Sequence, residues 1–332
     1  MTLSAGFLRD LGAIAPVKLD EPLGRYTTFG AGGPADAYAV ASSARQVADV
    51  VRLCRRAEVP FFVLGSGSNI VIGDRGIRGV TIGNGAQALT EPQLVQDDGG
   101  RYLVRADAGC SFAAIARRFA FAGYAGLEWA CGIPGTLGGA VVYNAGAYGG
   151  CLADVLLRVR VASEDGDAEL QAADLNLVYR ASNFTRGLMA GKAVLAAEFA
   201  LWPGDAAKLR QHVREYDQRR LSAQPRGRNA GSFFKNPPDQ PAWKLLDAVG
   251  LRGYRIGGAQ LSEKHCNFMV NAGGASAADV AALKTLAQER VRERFGVELE
   301  NEVALVGEGF GPLAPNPGGK SPLDSNTGES HA

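Results

Sequence analysis

A short segment of glycine, serine and asparagine, Gly65-Ser66-Gly67-Ser68-Asn69, has the composition of a loop that binds phosphate. Glycine allows positive φ angles and lets a ligand approach the backbone closely. Consecutive backbone N–H groups, together with the hydroxyls of Ser66 and Ser68, can bind phosphate without a helix dipole. A glycine-rich β-turn without a ligand explains this first glycine segment (residues 65–69) equally well. The segment alone therefore leaves both interpretations open.

This segment is not the fingerprint of a nicotinamide-dinucleotide fold. The Gly-x-Gly-x-x-Gly fingerprint needs a third glycine, where this chain has Ile70. It also needs a helix that begins at the pyrophosphate. Here Ile70-Val71-Ile72 is an apolar run that predicts a strand. Any phosphate at this loop must therefore be held in a different kind of fold.

A second glycine segment, residues 132–150, favours a ligand. Its sequence includes Gly132-Ile133-Pro134-Gly135-Thr136-Leu137-Gly138-Gly139-Ala140 and then Asn144-Ala145-Gly146. It is too poor in large side chains to serve only as core. Two glycine segments from adjacent units can hold an extended ligand with two phosphates between them. Together they predict a dinucleotide cofactor.

The elements around the glycine segments predict a mixed α and β protein. Ser43 and Gln46 have the spacing of a capping box at the start of a helix, and Phe61-Phe62-Val63-Leu64 predicts a buried strand before the first glycine segment. Residues 206–220 predict a polar connecting helix. Ser276 precedes a further helix that we expect to end near Gly296, and residues 297–306 predict a final strand.

The length, the net charge and the cysteine and histidine content argue against several classes of protein. The chain has 332 residues, enough for two or three units, and its formal net charge of +1 gives no basis for nucleic-acid or membrane binding. Five cysteines without a Cys-x-x-Cys pair and three scattered histidines argue against a disulfide framework and a metal site. Charge precedes any apolar signal core, and no apolar run reaches the roughly 18 residues of a membrane span. We expect a soluble cytoplasmic protein.

Motifs spread over residues 23–307 resemble, in their order, the UDP-N-acetylenolpyruvoylglucosamine reductase (UDP-N-acetylmuramate dehydrogenase) family of peptidoglycan synthesis. The motifs are Tyr26-Thr27-Thr28-Phe29, Gly32-Gly33-Pro34-Ala35, Leu64 with the first glycine segment, Gly126-Leu127-Glu128, Gly132-Ile133-Pro134-Gly135, Asn144-Ala145-Gly146, Tyr179-Arg180, Gly231-Ser232-Phe233-Phe234-Lys235-Asn236-Pro237, Arg255-Ile256-Gly257-Gly258 and Leu299-Glu300-Asn301-Glu302-Val303. Each motif alone is modest, but their common order is very improbable by chance.

The resemblance implies an α+β fold of the vanillyl-alcohol-oxidase/PCMH type, with two α/β FAD-binding subdomains and a C-terminal α+β substrate-binding domain. We expect these units at 1–85, 86–205 and 206–310, with a last strand that carries Glu302 back to the flavin site. We expect residues 311–332 to be a disordered tail. The region from Lys192 to Asp217 lacks the inserted tyrosine loop of one subclass, so the chain resembles the shorter subclass.

The resemblance also implies noncovalent FAD, NADPH as reductant and UDP-N-acetylenolpyruvoylglucosamine as substrate, reduced to UDP-N-acetylmuramate. We expect no nucleic-acid or membrane partner, and a monomer. The cofactor-binding positions implied by the motifs are Gly65, Ser66, Gly67, Ser68, Asn69, Gly132, Ile133, Pro134, Gly135, Gly138, Gly139, Asn144 and Gly146.

Three residues take catalytic roles by resemblance, and each has an ordinary alternative. Arg180 suits the substrate carboxylate, because a guanidinium binds it bidentately, although an arginine in a loop is usually a surface residue. Ser232 suits the proton donor, although a serine after glycine is often only a turn residue. Glu302 would repel a developing anion unless it is protonated or hydrogen-bonded, so we expect a raised pKa; alternation could instead place it on the wet face of a strand.

Tyr179, Lys235, Asn236 and His265 are the implied substrate contacts, and a packed or exposed histidine is the ordinary alternative for His265. The substrate-binding lysine that some relatives carry before the serine motif has no clear counterpart here. Arg226 or Arg228 is the candidate replacement.

Two other functions remain open at this point. A flavin oxidase of the same fold, acting on a sugar or aldehyde, often tethers its flavin through a histidine, and no histidine lies in either glycine segment. A non-catalytic flavin or nucleotide carrier would not need Arg180, Ser232 and Glu302 together.

Overall fold

A four-stranded sheet near the N-terminus leads the chain into the first glycine segment. In the computed structural model, which describes residues 2–95 and 100–309, its strand order is β1 (Val17–Pro22), β2 (Pro34–Ala41), β5 (Ile77–Asn84) and β3 (Phe61–Leu64). Strands β2, β5 and β3 are mutually parallel, and β1 is antiparallel to β2. The predicted strand before the first glycine segment is therefore confirmed as β3.

Two helices, α1 (Ala5–Ile14) and α2 (Ala44–Arg56), accompany this first sheet. The buried face of α2, including Val47 and Val51, packs with Ile82 of β5 and with Leu195 of the next sheet. The start of α2 differs from the predicted capping box. Ser43 Oγ accepts from the Gln46 N–H at 3.2 Å, but the Gln46 side chain accepts from the N–H of Ser42, not of Ser43. The box is therefore only half formed.

The second sheet is antiparallel and carries the second glycine segment at one end. Its order is β12 (Gly166–Gln171), β11 (Leu156–Ser163), β13 (Ala193–Pro203), β7 (Tyr102–Asp107) and β6 (Gln93–Leu94), with β8 (Tyr124–Ala125) paired to the end of β13. Helices α3 (Phe112–Phe121) and α4 (Leu137–Val142) and a hairpin of β9 (Gly146–Ala147) and β10 (Gly150–Cys151) accompany this sheet. Phe112, Phe119 and Phe199 are among the fully buried side chains of its core.

The polar helix predicted at 206–220 is α5 (Ala206–Ala223), and a third sheet follows it. Its order is β14 (Asn229–Ser232), β17 (Phe268–Asn271), β16 (Ala259–Leu261) and β15 (Arg255–Ile256), antiparallel throughout. Helices α6 (Ala242–Ala248) and α7 (Ala277–Phe295) pack against it. As predicted, α7 begins at Ser276, which forms a capping box with Asp279, and ends at Gly296, whose φ is 67°.

The final strand is much shorter than predicted. Only β18 (Ala304–Val306) is a strand, and it runs parallel to β4 (Ile70–Ile72). The expectation that a strand carries Glu302 is wrong, because the backbone before β18 bonds to another part of the chain. The N–H of Glu302 donates to the carbonyl of Phe233 at 2.8 Å, whereas the N–H of Ala304 donates to Asn69 at 3.0 Å. Because these two N–H groups bond to different segments of the chain, residues 302–306 do not form one continuous strand against a single neighbour.

The three sheets lie between residues 17 and 84, 93 and 203, and 229 and 271. The exact domain boundaries stay a prediction, and the tail expected at 311–332 lies outside the described residues. Within the described ranges, no helix combines the length and apolarity needed to cross a membrane.

One carboxylate joins the first sheet region to the C-terminal helix. Asp74, just after β4, accepts from the N–H groups of Ala277 at 2.8 Å and Ala278 at 3.1 Å. These are first-turn groups of α7, which have no acceptor inside the helix. Asp74 therefore caps α7 although it lies about 200 residues earlier in the chain. Its negative charge is also favourable at the positive, N-terminal end of the helix dipole.

We predict that Asp74→Ala lowers the free energy of unfolding by about 1 kcal/mol, because two N–H groups lose their acceptor. Urea unfolding of the purified protein measures this. Asp10→Ala, an exposed position in α1, is the matched control and should stay within about 0.5 kcal/mol of the parent protein. Equal effects of the two substitutions would show that the cap contributes nothing.

Candidate active site

The two glycine segments face each other across a cavity of about 410 Å³. A Cβ built on Gly65 would lie 2.5 Å from Thr136 Oγ1, so only glycine permits this approach. The Ser68 hydroxyl donates to the Pro134 carbonyl at 3.0 Å. The two glycine segments therefore line one cavity, as the sequence predicted.

The first glycine segment has free donors at the cavity wall. The backbone N–H groups of Ser66, Gly67 and Ser68 donate no hydrogen bond to any acceptor among the described residues. Gly67 has a φ of 62°, and a Cβ there would lie 2.3 Å from the Tyr26 carbonyl oxygen. Successive N–H groups that are left free in such a turn are an anion-binding arrangement.

Gly139 gives an independent reason to place a ligand here. It lines the cavity in α4, and the nearest atom to a Cβ built on it is Thr136 Oγ1 at 3.7 Å. Protein packing therefore does not require glycine at this position. Glycine in a helix is also unfavourable by about 1 kcal/mol relative to alanine. Close approach by a bound group explains it, so the residues present fit a dinucleotide cofactor such as FAD.

Most of the predicted cofactor positions line this cavity: Gly65, Ser66, Gly67, Ser68, Asn69, Ile133, Pro134, Gly135, Gly138, Gly139 and Gly146. Gly132 and Asn144 do not. Gly132 lies behind the wall, where a Cβ would be 3.0 Å from Arg220 Cδ. Asn144 is buried, with its amide donating to Val178 O and accepting from Ala153 N, both at 3.0 Å. These two residues support the wall from outside the cavity.

Arg180, Ser232 and Glu302 all line the same cavity, although they lie in different parts of the chain. Arg180 Nε donates to Glu302 Oε1 at 2.6 Å, and Arg180 Nη2 donates to the Gly146 carbonyl at 2.8 Å. The φ of Arg180 is 53°, a conformation that is uncommon for a residue with a side chain. Such strain persists only where surrounding contacts enforce it, and it clusters at functional sites.

Glu302 is held by its backbone as well as by its side chain. The Asn69 amide donates to the Glu302 carbonyl at 3.0 Å, so the first glycine segment positions this residue directly. Burial raises the pKa of Glu302 above its ordinary value, and the positive charges of Arg180 and Lys235 oppose that shift. The direction matches the expectation from the sequence. It means that the carboxyl group keeps its proton to a higher pH than an exposed glutamate.

Ser232 is the last residue of β14, where it pairs with Phe268. Its hydroxyl makes no hydrogen bond within the described part of the chain, and the residue is half-buried. The preceding residue, Gly231, has a φ of 87°, and a Cβ there would meet no atom within 4 Å. The wall beside Ser232 is therefore open, and its hydroxyl is available to a bound molecule.

The four predicted substrate contacts do not line the cavity. Tyr179 is exposed and stacks under Arg180, with 5.3 Å from the guanidinium carbon to the ring centroid. Lys235 pairs with Glu300 at 3.1 Å, and Asn236 Oδ1 accepts from the N–H of Ala242 at 3.0 Å. His265 packs between the rings of Trp243 and Phe268.

Arg220 is the cavity residue that the sequence reasoning missed. It lines the cavity, is half-buried, and makes no hydrogen bond or ion pair within the described ranges. Arg226 and Arg228, the replacements considered for the missing lysine, are exposed, and Arg228 lies against Gly30. A signal was present in α5. Leu209, Val213, Tyr216 and Arg220 follow one another at helical spacing, which places the arginine on the packed face.

Comparison with known proteins gives concordant matches. Residues 35–169 match the FAD binding domain family, and residues 223–306 match the family described as UDP-N-acetylenolpyruvoylglucosamine reductase, C-terminal domain. The UDP-N-acetylenolpyruvoylglucosamine reductase of Agathobacter rectalis is 42% identical over 299 residues, covering 87% of this chain and 93% of that protein. The reductase of Rubrobacter xylanophilus is 43% identical over 291 residues, covering 88% and 95%.

A solved structure agrees with these relatives. The crystal structure of UDP-N-acetylenolpyruvylglucosamine reductase from Thermus caldophilus matches with a TM-score of 0.70 and 33% identity, over 88% of this chain and 98% of that one. The predicted FAD-binding α+β fold of the vanillyl-alcohol-oxidase/PCMH type is thereby confirmed. With more than 40% identity over most of its length to such relatives, the chain belongs to the UDP-N-acetylenolpyruvoylglucosamine reductase family.

Proposed function

We propose that this protein reduces the enolpyruvyl group of UDP-N-acetylenolpyruvoylglucosamine to give UDP-N-acetylmuramate, with noncovalent FAD and with NADPH as reductant. We propose that this reaction is a step in the cytoplasmic synthesis of peptidoglycan precursors and that the enzyme acts as a monomer. The observation that carries the proposal is the meeting of Arg180, Ser232 and Glu302 in one cavity beside the two glycine segments. The names of the relatives support the same substrate.

Bound FAD would supply the hydride chemistry, accepting a hydride from NADPH and delivering it to the vinyl carbon of the substrate. The protein must then do the rest. Hydride addition to an enol ether conjugated to a carboxylate builds up enolate-like negative charge. The site needs positive charge and donors at the carboxylate, and a proton for the adjoining carbon.

Arg180 is proposed to bind the substrate carboxylate. A guanidinium has five N–H donors, and here one on Nε is used by Glu302 and one on Nη2 by Gly146. The remaining N–H groups on the Nη1 and Nη2 edge suit a bidentate carboxylate. Because those two contacts hold the guanidinium in place, the positive charge is already oriented when the negative charge develops.

Ser232 is proposed to donate the proton. A serine hydroxyl is a very weak acid, so the step depends on a strongly basic enolate beside it and on stabilisation of the resulting alkoxide. Lys235 and Asn236 follow Ser232 closely in the chain, but their side chains bond to Glu300 and to the N–H of Ala242 at the start of α6. Glu302 is proposed to support this step as a neutral carboxyl group, because its raised pKa favours the protonated form, which does not repel the developing anion.

Arg220 is proposed to bind the diphosphate of the substrate. Burial lowers the pKa of its guanidinium, but arginine stays charged at neutral pH. A half-buried cation that has no acceptor among the described residues is unfavourable until an anion pairs with it. The substrate supplies such an anion in its two phosphates.

The decisive experiment measures NADPH oxidation by the purified yellow protein with and without UDP-N-acetylenolpyruvoylglucosamine. We expect the substrate to stimulate NADPH oxidation and one equivalent of UDP-N-acetylmuramate to form per NADPH. Acid denaturation should release all the flavin, since no histidine or cysteine is among the described residues that line the cavity. An absence of substrate-dependent oxidation would refute the function, and flavin retained on the polypeptide would refute noncovalent binding.

Ser232→Ala should leave reduction of the flavin by NADPH nearly unchanged and slow its reoxidation by the substrate about 10²- to 10⁴-fold, because only the second half-reaction needs the proton. Stopped-flow absorbance of the flavin separates the two steps. Ser163→Ala, at the end of β11 and outside the cavity, is the control and should match the parent protein. Collapse of the first half-reaction in the Ser232 variant would contradict the assigned role.

The second half-reaction should also slow as the pH rises through the raised pKa of Glu302, because the ionised carboxylate would repel the negative charge that develops on the substrate. Its folded-state pKa lies above the ordinary value, so the active form persists upward from acid pH and is lost on the alkaline side. Glu302→Gln should be slower and should lose this alkaline decline. Glu300→Gln, at the exposed partner of Lys235, should keep it. A rate that increases across the same window would disprove the role of Glu302.

A further inference from the structure

A tyrosine occupies an unfavourable position at the rim of the cavity. Tyr148 and Gly149 form the two-residue turn between β9 and β10, with φ angles of 54° and 91°. Two-residue hairpin turns with positive φ at both positions strongly favour Asn, Asp or Gly. A tyrosine held in this conformation implies that its side chain makes contacts which outweigh the backbone preference.

Those contacts are with α5. The Tyr148 ring stacks on the Tyr216 ring, with centroids 4.4 Å apart and planes 11° from parallel. The Tyr148 hydroxyl donates to the Tyr216 carbonyl oxygen at 3.0 Å. Burial raises the pKa of Tyr148, so this hydroxyl keeps its proton and remains a donor throughout the physiological range. The hairpin tip is therefore joined to α5 by a ring contact and by a hydrogen bond.

The same hairpin contacts Arg180 directly and is linked to Arg220 through α5. At its base, the Gly146 carbonyl accepts from Arg180 Nη2 at 2.8 Å. At its tip, Tyr148 bonds to α5 one helical turn before Arg220, and both of these residues line the cavity. Arg220 has no acceptor of its own in the described chain, and behind it Gly132 leaves room for its side chain. The orientation of the Arg220 side chain must therefore be set by packing against neighbouring residues.

We propose that Tyr148 is a positioning residue, which fastens the β9–β10 hairpin to α5 and so holds Arg220 in the cavity, aimed at the diphosphate of the substrate. The inference rests on the proposed function for the identity of the anion. Its physical basis is conformational entropy, because a long arginine side chain loses less freedom on binding when its surroundings already restrict it. The strained turn is maintained because it places the tyrosine ring against α5.

The test uses substitutions that the turn accepts. Asparagine tolerates positive φ, so Tyr148→Asn removes the ring and the hydroxyl while the backbone conformation is kept. We expect the KM for UDP-N-acetylenolpyruvoylglucosamine to rise about tenfold, with kcat within about twofold of the parent value. Tyr148→Phe keeps the ring stack and should recover most of the affinity. Tyr254→Asn, at a tyrosine of similar exposure outside the cavity, should leave KM unchanged.

A double-mutant cycle separates positioning from a general structural role. Arg220→Gln should itself raise KM at least about tenfold, and adding Tyr148→Asn to it should have little further effect, because the two residues act through one interaction. Full additivity of the two effects would overturn the proposal. So would an unchanged KM in Tyr148→Asn, a fall in kcat alone, or a loss of bound flavin in that variant.

The proposed function and the inference fail in different ways. UDP-N-acetylglucosamine carries the same diphosphate without the enolpyruvyl group, and its binding can be followed by the change in the flavin absorbance of the holoenzyme. If the parent protein binds this probe and Tyr148→Asn binds it about tenfold more weakly, the inference stands even without turnover. If turnover is observed but both proteins bind the probe equally, the inference alone is wrong.

Discussion

The backbone of Glu302 is hydrogen-bonded on two sides, and the arrangement of the cavity depends on these two bonds. Its N–H donates to the carbonyl of Phe233, next to Ser232, and its carbonyl accepts from the amide of Asn69 in the first glycine segment. One residue thus joins the loop proposed to hold FAD phosphate to the strand that presents the serine. The side chain of Glu302 then fixes Arg180 at 2.6 Å. Loss of either backbone bond would therefore disturb both Glu302 and the guanidinium that it orients.

The two arginines of the cavity differ in how their charge is balanced. Arg180 is paired with Glu302 and the Gly146 carbonyl, so its orientation is set before a ligand arrives. Arg220 makes no hydrogen bond or ion pair in the described residues, and only the more distant charge of Asp217 opposes its own. A preorganised cation suits the group where charge develops, whereas an unpaired cation contributes mainly to binding. The contrast matches the proposed carboxylate and diphosphate roles.

Three of the six described non-glycine residues with positive φ lie at the cavity or in its wall. Asn144, Tyr148 and Arg180 all have positive φ, at 42°, 54° and 53°. Each is held by a specific contact: the amide of Asn144 by Val178 and Ala153, the ring of Tyr148 by α5, and the guanidinium of Arg180 by Glu302. Stable sheets on both sides can support such local strain, and the strained residues in turn place polar groups at the cavity wall.

Neighbouring residues along the chain were enough to predict the strand Phe61–Leu64, the cap at Ser276 and the pairing of the two glycine segments. The FAD-binding fold was implied by the resemblance of the ordered motifs to the reductase family. The sequence did not predict that the strand expected at 297–306 would shrink to Ala304–Val306, or that Lys235 and Asn236 would be occupied by Glu300 and α6. Nor did it single out Arg220 among the arginines near the serine motif. Those outcomes depend on which distant backbone and side-chain groups compete for the same hydrogen bonds, and only the folded chain brings the competitors together.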